Sequence, residues 1–149
     1  MKPSTFMRFT RISCGAASGI GASTARLFAR EGARLFLTDW NAEAGAALAT
    51  ELSGQGYEAW FKPADVSNET EVEALLNAVQ EKFGHLDCAF NNAGINSRGM
   101  PIDEFDLVEW NRVLAINLTG VFLCMKYELK LMKPRGSGSI VNTSSVAGT

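Results

Sequence analysis

Histidine occurs once in this chain, at His85, tyrosine twice, cysteine three times and proline four times. Each scarcity excludes something. One histidine cannot build a histidine-rich metal centre. His85, in the turn FGHLD, has nothing beside it in sequence to orient it as a base, so it reads as solvated and outside any chemistry. Cys14, Cys88 and Cys124 are odd in number and sit within apolar segments, so they are expected to be buried thiols in a reducing compartment, with no disulfide and no metal role. No proline- or serine-rich linker and no low-complexity tract divides the chain, so residues 1–149 are expected to form one domain.

Charge of one sign is also missing. The balance of 14 Lys and Arg against 16 Asp and Glu leaves a formal net charge of -2, with the cations scattered singly. Nucleic acid and anionic membrane therefore fall away as partners, because neither phosphate backbone nor lipid headgroups would meet a basic stripe. The first residues, MKPSTFMRFTRIS, hold no apolar run of signal-peptide length, and no window is expected to cross a bilayer. A cytoplasmic setting follows, in which the triplets NET, NLT and NTS are chance matches to a glycosylation signal.

What is present is an alternation of strand-like and helix-like patterns, the mark of a parallel α/β sheet. FTRISC is the first expected strand, although Arg11 and Ser13 stand where a doubly covered strand should be apolar. The helix after the glycines carries Ile20, Thr24, Leu27 and Phe28 at helical spacing, and ARLFLTD leads into Asp39. Asn41 can cap a helix with Ala44, Leu48 and Leu52 on one stripe. YEAWFKPAD is the third strand. Asn68 and Glu71 resemble a capping box opening a helix with Val72, Leu75, Leu76, Val79 and Phe83 inside, closed by Gly84. LDCAFNNAG is a fourth strand with its loop, a long helix spans about 106–132, and GSIVNTSS is a fifth strand.

Gly15, Gly19 and Gly21 form G-x-x-x-G-x-G between a strand and a helix, where a pyrophosphate can rest on free backbone N–H groups at the positive helix end. A tight connection would use the same glycines. Asp39 ends the second strand 24 positions after Gly15, where a carboxylate can accept hydrogen bonds from both hydroxyls of an adenosine ribose. Its charge would repel a 2′-phosphate and the neighbouring Trp40 offers no cation, so the pattern favours NAD over NADP. Asp65, in PADVS, falls at the carboxyl edge of the third strand and could bind an adenine amine, or could simply form a turn.

Five ordered blocks, the glycine turn, ADV at 64–66, NNAG at 91–94, INLTGVF around Asn117, and GSIVNTSSVAG at 138–148, resemble the short-chain dehydrogenase/reductase family in order and spacing from about residue 9 onward. The resemblance implies a Rossmann-like doubly wound sheet of five strands in the order 3-2-1-4-5. It implies an NAD-dependent oxidoreductase moving a hydride between nicotinamide and a secondary alcohol or ketone, and a homo-oligomer for the full-length form. It assigns Ser18 and Ile20 to the glycine turn, Val66 to the site beside Asp65, and Asn92, Ala93 and Gly94 to the cofactor trough. Ser145 matches the serine that orients the substrate oxygen, and Asn117 the asparagine that bends the long helix and holds a water in a proton relay.

The family's general base is a tyrosine in Tyr-x-x-x-Lys, beyond that serine. Neither tyrosine here fits: Phe61 stands four residues after Tyr57, and Leu131 four after Tyr127. Tyr127 with Lys130 reads as a helix-surface pair. The chain is accordingly expected to be incomplete at its C-terminus and inactive alone, with the fifth strand left as an edge and poor solubility as the result. A dinucleotide-binding module without catalysis, or an inactive fragment, remains the alternative.

Overall fold

The computed structural model describes residues 9–97, 99 and 101–145. The expected VAG ending of the fifth block lies outside the described residues. Five parallel strands, β1 (Thr10–Cys14), β2 (Arg34–Thr38), β3 (Ala59–Phe61), β4 (Cys88–Asn91) and β5 (Ser139–Asn142), form one sheet in the order β3-β2-β1-β4-β5. Helices α1 (Gly19–Arg30) and α2 (Ala42–Gly54) cover one face. Helices α3 (Glu69–Phe83) and α5 (Val121–Met132) cover the other, and α4 (Leu107–Leu114) precedes α5 in the chain. This is the doubly wound arrangement, and the strand order reverses between β1 and β4.

Strand alternation places Ile12 and Cys14 in the core against α3 and α5. Arg11 and Ser13 therefore face the α1 layer, which resolves part of the oddity of β1. The Arg11 guanidinium lies 4.3 Å from the centroid of the Phe28 ring, so its stem and charge use the aromatic face of α1. Ser13 is fully buried, and its hydroxyl has no hydrogen-bond partner among the described residues.

The inner face of α1 differs from the expected stripe. Ala22, Ala25 and Ala29 are buried, whereas Ile20 and Leu27 are 65% and 54% exposed and Phe28 is half-buried. Apolar spacing alone favours the bulky residues, but helix and sheet approach closely and only the alanine face fits that gap. On α2, Leu48 and Leu52 are buried as expected. On α3 all five expected core residues are buried, and Asn68 accepts from the Thr70 and Glu71 amides at 3.0 and 3.3 Å. Glu71 departs from the capping box by binding the Asp65 amide and the Asn68 side chain. Gly84 ends α3 in the left-handed conformation at φ 75°.

The long helix is not uniform. Between α4 and α5, residues Ala115–Gly120 form a π-helical turn. Within the 29-residue run Leu107–Arg135, an 18-residue window reaches a mean hydropathy of 1.2, long and apolar enough to cross a membrane by length and composition. That corrects the expectation that no window reaches this limit. In the fold its Leu123, Cys124, Tyr127 and Met132 are packed into the core with α3.

Two further expectations change. Tyr127 is buried rather than on the surface, and its hydroxyl donates to Glu69 at 3.1 Å while Lys130 lies over its ring. His85 is half-buried, with Nε2 3.2 Å from Asp87 Oδ2, an anchor the sequence reading denied it. Asp87 also accepts from the Thr10 amide and pairs with Arg135, so this cluster fastens the amino end of β1 to the segment before β5. Cys88 is half-buried, unlike Cys14 and Cys124.

Candidate functional site

The carboxyl ends of the strands surround one trough of about 1130 Å³, above the roughly 300–1,000 Å³ of ordinary small-molecule clefts and so suited to an extended ligand. It lies at the reversal between β1 and β4, where open α/β sheets bind ligands.

The glycine turn forms its floor. Gly15 has φ +67°, and a Cβ there would stand 2.8 Å from the Ala93 backbone, so turn and β4 loop touch through glycine. Gly21 does not line the trough. A side chain on it would strike the Gly15 carbonyl and the Asn92 amide, so its role is to let α1 start directly beneath the turn. Gly19 has open space around it and, with Ser18 and Ile20, lines the trough.

Helix starts distinguish this place from the rest of the fold. Asn41, Asn68 and Asp106 each cap their helix with a side-chain oxygen, and α2, α3 and α4 each carry glutamate in the first turn. Helix α1 has neither: Ser18 makes no side-chain cap and no acid stands in the first turn. Its leading N–H groups have no intrahelical acceptor, and the positive helix end is left for an anion.

Asp39 is 7% exposed at the end of β2. Its Oδ2 accepts from the Ala17 amide at 2.8 Å and its Oδ1 from the Asn41 amide at 3.0 Å, so the carboxylate pins the glycine turn to β2. Asp39 lines the trough, and each of its carboxylate oxygens can accept a further hydrogen bond. Trp40, 79% exposed, stands next to it on the rim. Arg112 also lines the trough but is held bidentately by Glu109, both contacts 2.8 Å, so its charge is already matched.

Asp65 is exposed and folded onto itself, with Oδ1 accepting from the Ser67 amide and hydroxyl at 2.9 and 2.7 Å. It lines the trough with the buried Val66, yet behaves as the turn former that its residue type allows. Asn92, Ala93 and Gly94 line the trough from β4. Asn92 Nδ2 donates to the Gly15 carbonyl at 3.4 Å, while Asn92 Oδ1 accepts from the Thr143 hydroxyl at 2.9 Å, a polar chain crossing from β5 to β1.

Asn117 sits within the π-helical turn, and it is exposed rather than buried on an apolar face. Val113 and Leu114, one turn earlier, are themselves only half-buried, so the helix face that carries Asn117 is open rather than core. Its amide grips the backbone of Ile95, Nδ2 donating to the carbonyl at 2.8 Å and Oδ1 accepting from the N–H at 2.9 Å, which fixes the loop after NNAG. Ser145 is exposed beyond β5 and does not line the trough.

Sequence reasoning missed Thr143, the α4 residues Val108, Asn111 and Arg112, and Ile116 of the π-helical turn on the trough wall. Val108, Arg112 and Ile116 repeat at four-residue spacing, a signal that reads equally as a core stripe. Tyr127 is no substitute base. Burial first, and then its bond to the Glu69 carboxylate, raise its phenol above the usual tyrosine range, and it faces α3 rather than the trough.

Comparison with known proteins agrees with this architecture. The family model described as short chain dehydrogenase matches residues 12–149. The chain is 43% identical over 143 residues to the cis-4-hydroxycyclohexanecarboxylate dehydrogenase of Sinomonas cyclohexanicum, covering 96% of this chain and 57% of that protein. It is 44% identical over 134 residues to the 3beta-hydroxysteroid dehydrogenase of Mediterraneibacter gnavus, covering 90% and 48%. The crystal structure of a 3-ketoacyl-ACP reductase from Sinorhizobium meliloti 1021 superposes with a TM-score of 0.91 at 37% identity, over 94% of this chain and 55% of that one. The chain spans about half the length of the curated relatives it matches. Strand order, a glycine turn beneath an uncapped helix, and a family match over nearly every described residue place this chain in the short-chain dehydrogenase family.

Proposed function

We propose that this chain forms the cofactor-holding part of an NAD-dependent oxidoreductase that moves a hydride between nicotinamide and a secondary alcohol or ketone. The observation that carries the cofactor choice is Asp39, a carboxylate fixed by two backbone amides at the trough rim. The pyrophosphate would rest on the N–H groups at Gly19 and Ile20, the adenosine ribose on Asp39, and the remainder of the dinucleotide along Asn92, Ala93 and Gly94. A 2′-phosphate would meet the Asp39 charge, with the Arg112 guanidinium already engaged by Glu109. NAD, when bound, supplies the hydride acceptor; the chain's residues bind and orient it.

For the chemical step, Asn117 and Ser145 are assigned by family position. Asn117 would act through the loop that it clamps at Ile95. The family relatives cited above are named for hydroxylated compounds, which supports an alcohol or its ketone as the substrate class. A homo-oligomer is the expected assembly of the full enzyme.

A second reading is dinucleotide binding by this chain without turnover, supported by the glycine turn and Asp39, which bind and orient a dinucleotide whether or not a reaction follows. Titration of the purified chain with NAD+ and NADP+, followed by tryptophan fluorescence and calorimetry, tests both. NAD+ is expected to bind at least tenfold more tightly than NADP+, a difference of about 1.4 kcal/mol, and Asp39→Ser is expected to erase that preference. Equal or reversed affinities in the parent chain would remove the NAD reading. Failure of both nucleotides to bind a folded sample would remove the module as well.

A further inference from the structure

Beneath the trough, the ends of β1 and α5 bring together three donor groups that the dinucleotide site does not use. Cys14 Sγ and Cys124 Sγ are 3.9 Å apart, and their sulfurs and a Glu128 carboxylate oxygen all lie within 4.8 Å of one another. All three residues are essentially excluded from solvent. Cys124 and Glu128 are four residues apart on α5 and so share one helix face toward Cys14.

We propose that Cys14, Cys124 and Glu128 form a binding site for one thiophilic divalent cation of the zinc type. A tetrahedral ion with metal–sulfur bonds of about 2.3 Å sets its two sulfurs about 3.8 Å apart, close to the observed separation. The second shell is already in place. Asn91 Nδ2 donates to Glu128 Oε2 at 3.1 Å, which orients the carboxylate, while Glu128 Oε1 and Asn91 Oδ1 have no hydrogen-bond partner among the described residues. A buried carboxylate oxygen and amide oxygen without donors cost free energy that a cation would offset. Cys14, Cys124 and Asn91 also border a void of about 10 Å³, the scale of a single ion or water and far too small for an organic ligand.

A water held in the small void can complete the fourth position. Two thiols would lose their protons on binding, so one M2+ replaces two H+ and the sulfurs undergo no oxidation. Two thiolates and one carboxylate around M2+ leave a local charge of -1, facing the Asn91 amide donor. The lasting consequence is mechanical: Cys14 adjoins Gly15, so the ion would tie the glycine turn to α5.

The test uses the 149-residue chain, reduced and freed of metal with a chelator, then titrated anaerobically with Co2+ and with Zn2+. The expected result is one equivalent of Co2+ with thiolate-to-metal charge-transfer absorption and tetrahedral d–d bands, displaced by Zn2+. Glu128→Gln and Cys124→Ser should lose these bands at least tenfold in affinity, and Cys88→Ser should keep them. Should the Cys124 or Glu128 variants fail to fold, alkylation of the parent chain decides the matter: Zn2+ should protect Cys14 and Cys124 and leave Cys88 reactive. Absence of charge-transfer bands in a folded parent chain would overturn the site. So would their persistence in a folded Cys124→Ser chain, Zn2+ protection confined to Cys88, or a Cys14–Cys124 disulfide that forms as readily with Zn2+ as without it.

Discussion

Asp39 and Gly21 separate what one residue's position reveals from what only packing reveals. The place of Asp39 at the end of a strand, 24 residues after Gly15, was enough to nominate it. Its two amide bonds to Ala17 and Asn41 were not readable, because they depend on how the turn folds back over β2. Gly21 was nominated with its neighbours as a phosphate contact, yet its close neighbours are the Gly15 carbonyl and the Asn92 side chain. A β-carbon would push the turn away from α1. Gly21→Ala should therefore weaken NAD+ binding by at least tenfold, about 1.4 kcal/mol, and lower the melting temperature. The same substitution at Gly19 meets no nearby atom but a φ of +50°, so strain alone acts there and the thermal loss should be smaller. Differential scanning calorimetry and NAD+ titration of the two variants rank them, and a Gly21→Ala chain as stable as the parent would contradict the packing argument. Asn117 shows the converse limit. Its residue type and place on a helix were legible, but the face it shares with Val113 and Leu114 is only half-buried, and apolar spacing does not tell a half-open face from a core one.

At the scale of elements, legibility followed the chemistry of helix ends more faithfully than the bulk of side chains. Helix α3 was readable to the residue, because Asn68, a regular apolar stripe and Gly84 all state the same boundaries. Helix α1 was readable in place and not in face. Ile20 and Leu27 look like a core stripe, while Ala22, Ala25 and Ala29 occupy it, since a helix that follows directly from a glycine turn lies close to the sheet. This inversion has a measurable consequence. Leu27→Ala, at a half-exposed site, should change unfolding free energy by under about 0.5 kcal/mol. Ala25→Leu, at a site with no exposure, should cost about 1–3 kcal/mol through overpacking. Urea denaturation of both variants measures the contrast, and a larger loss from Leu27→Ala would restore the bulky face as the inner one. The pair Cys14 and Cys124 belongs to this scale too. Separated by 110 residues, they carry no motif, and only the crossing of β1 beside α5 brings the sulfurs together.

For the whole molecule, alternation of elements gave a parallel α/β sheet, while the strand order came from resemblance, since periodicity does not say where a fourth strand returns. The order β3-β2-β1-β4-β5 leaves β5 at one edge, paired only with β4 among the described residues. That edge is less apolar than expected: only Ile140 is partly buried, and Val141 alone adds an exposed apolar side chain to it. The stronger driving force for association is the outer side of the long helix. Leu118, Phe122 and Leu129 are 64%, 61% and 39% exposed and recur at i, i+4 and i+11, a continuous apolar stripe. Burying such a stripe stabilises by about 25 cal/mol per Å² of apolar surface removed from water, whereas edge pairing of a four-residue strand offers a few backbone bonds. Self-association of the 149-residue chain should therefore run through the helix face. Sedimentation equilibrium at micromolar concentration should give a mass above 16.1 kDa, and Phe122→Glu should return the chain to its monomer mass without loss of NAD+ binding. A parent chain that stays monomeric, or a Phe122→Glu chain that aggregates as before, would place the contact elsewhere, with the β5 edge the first surface to mutate next.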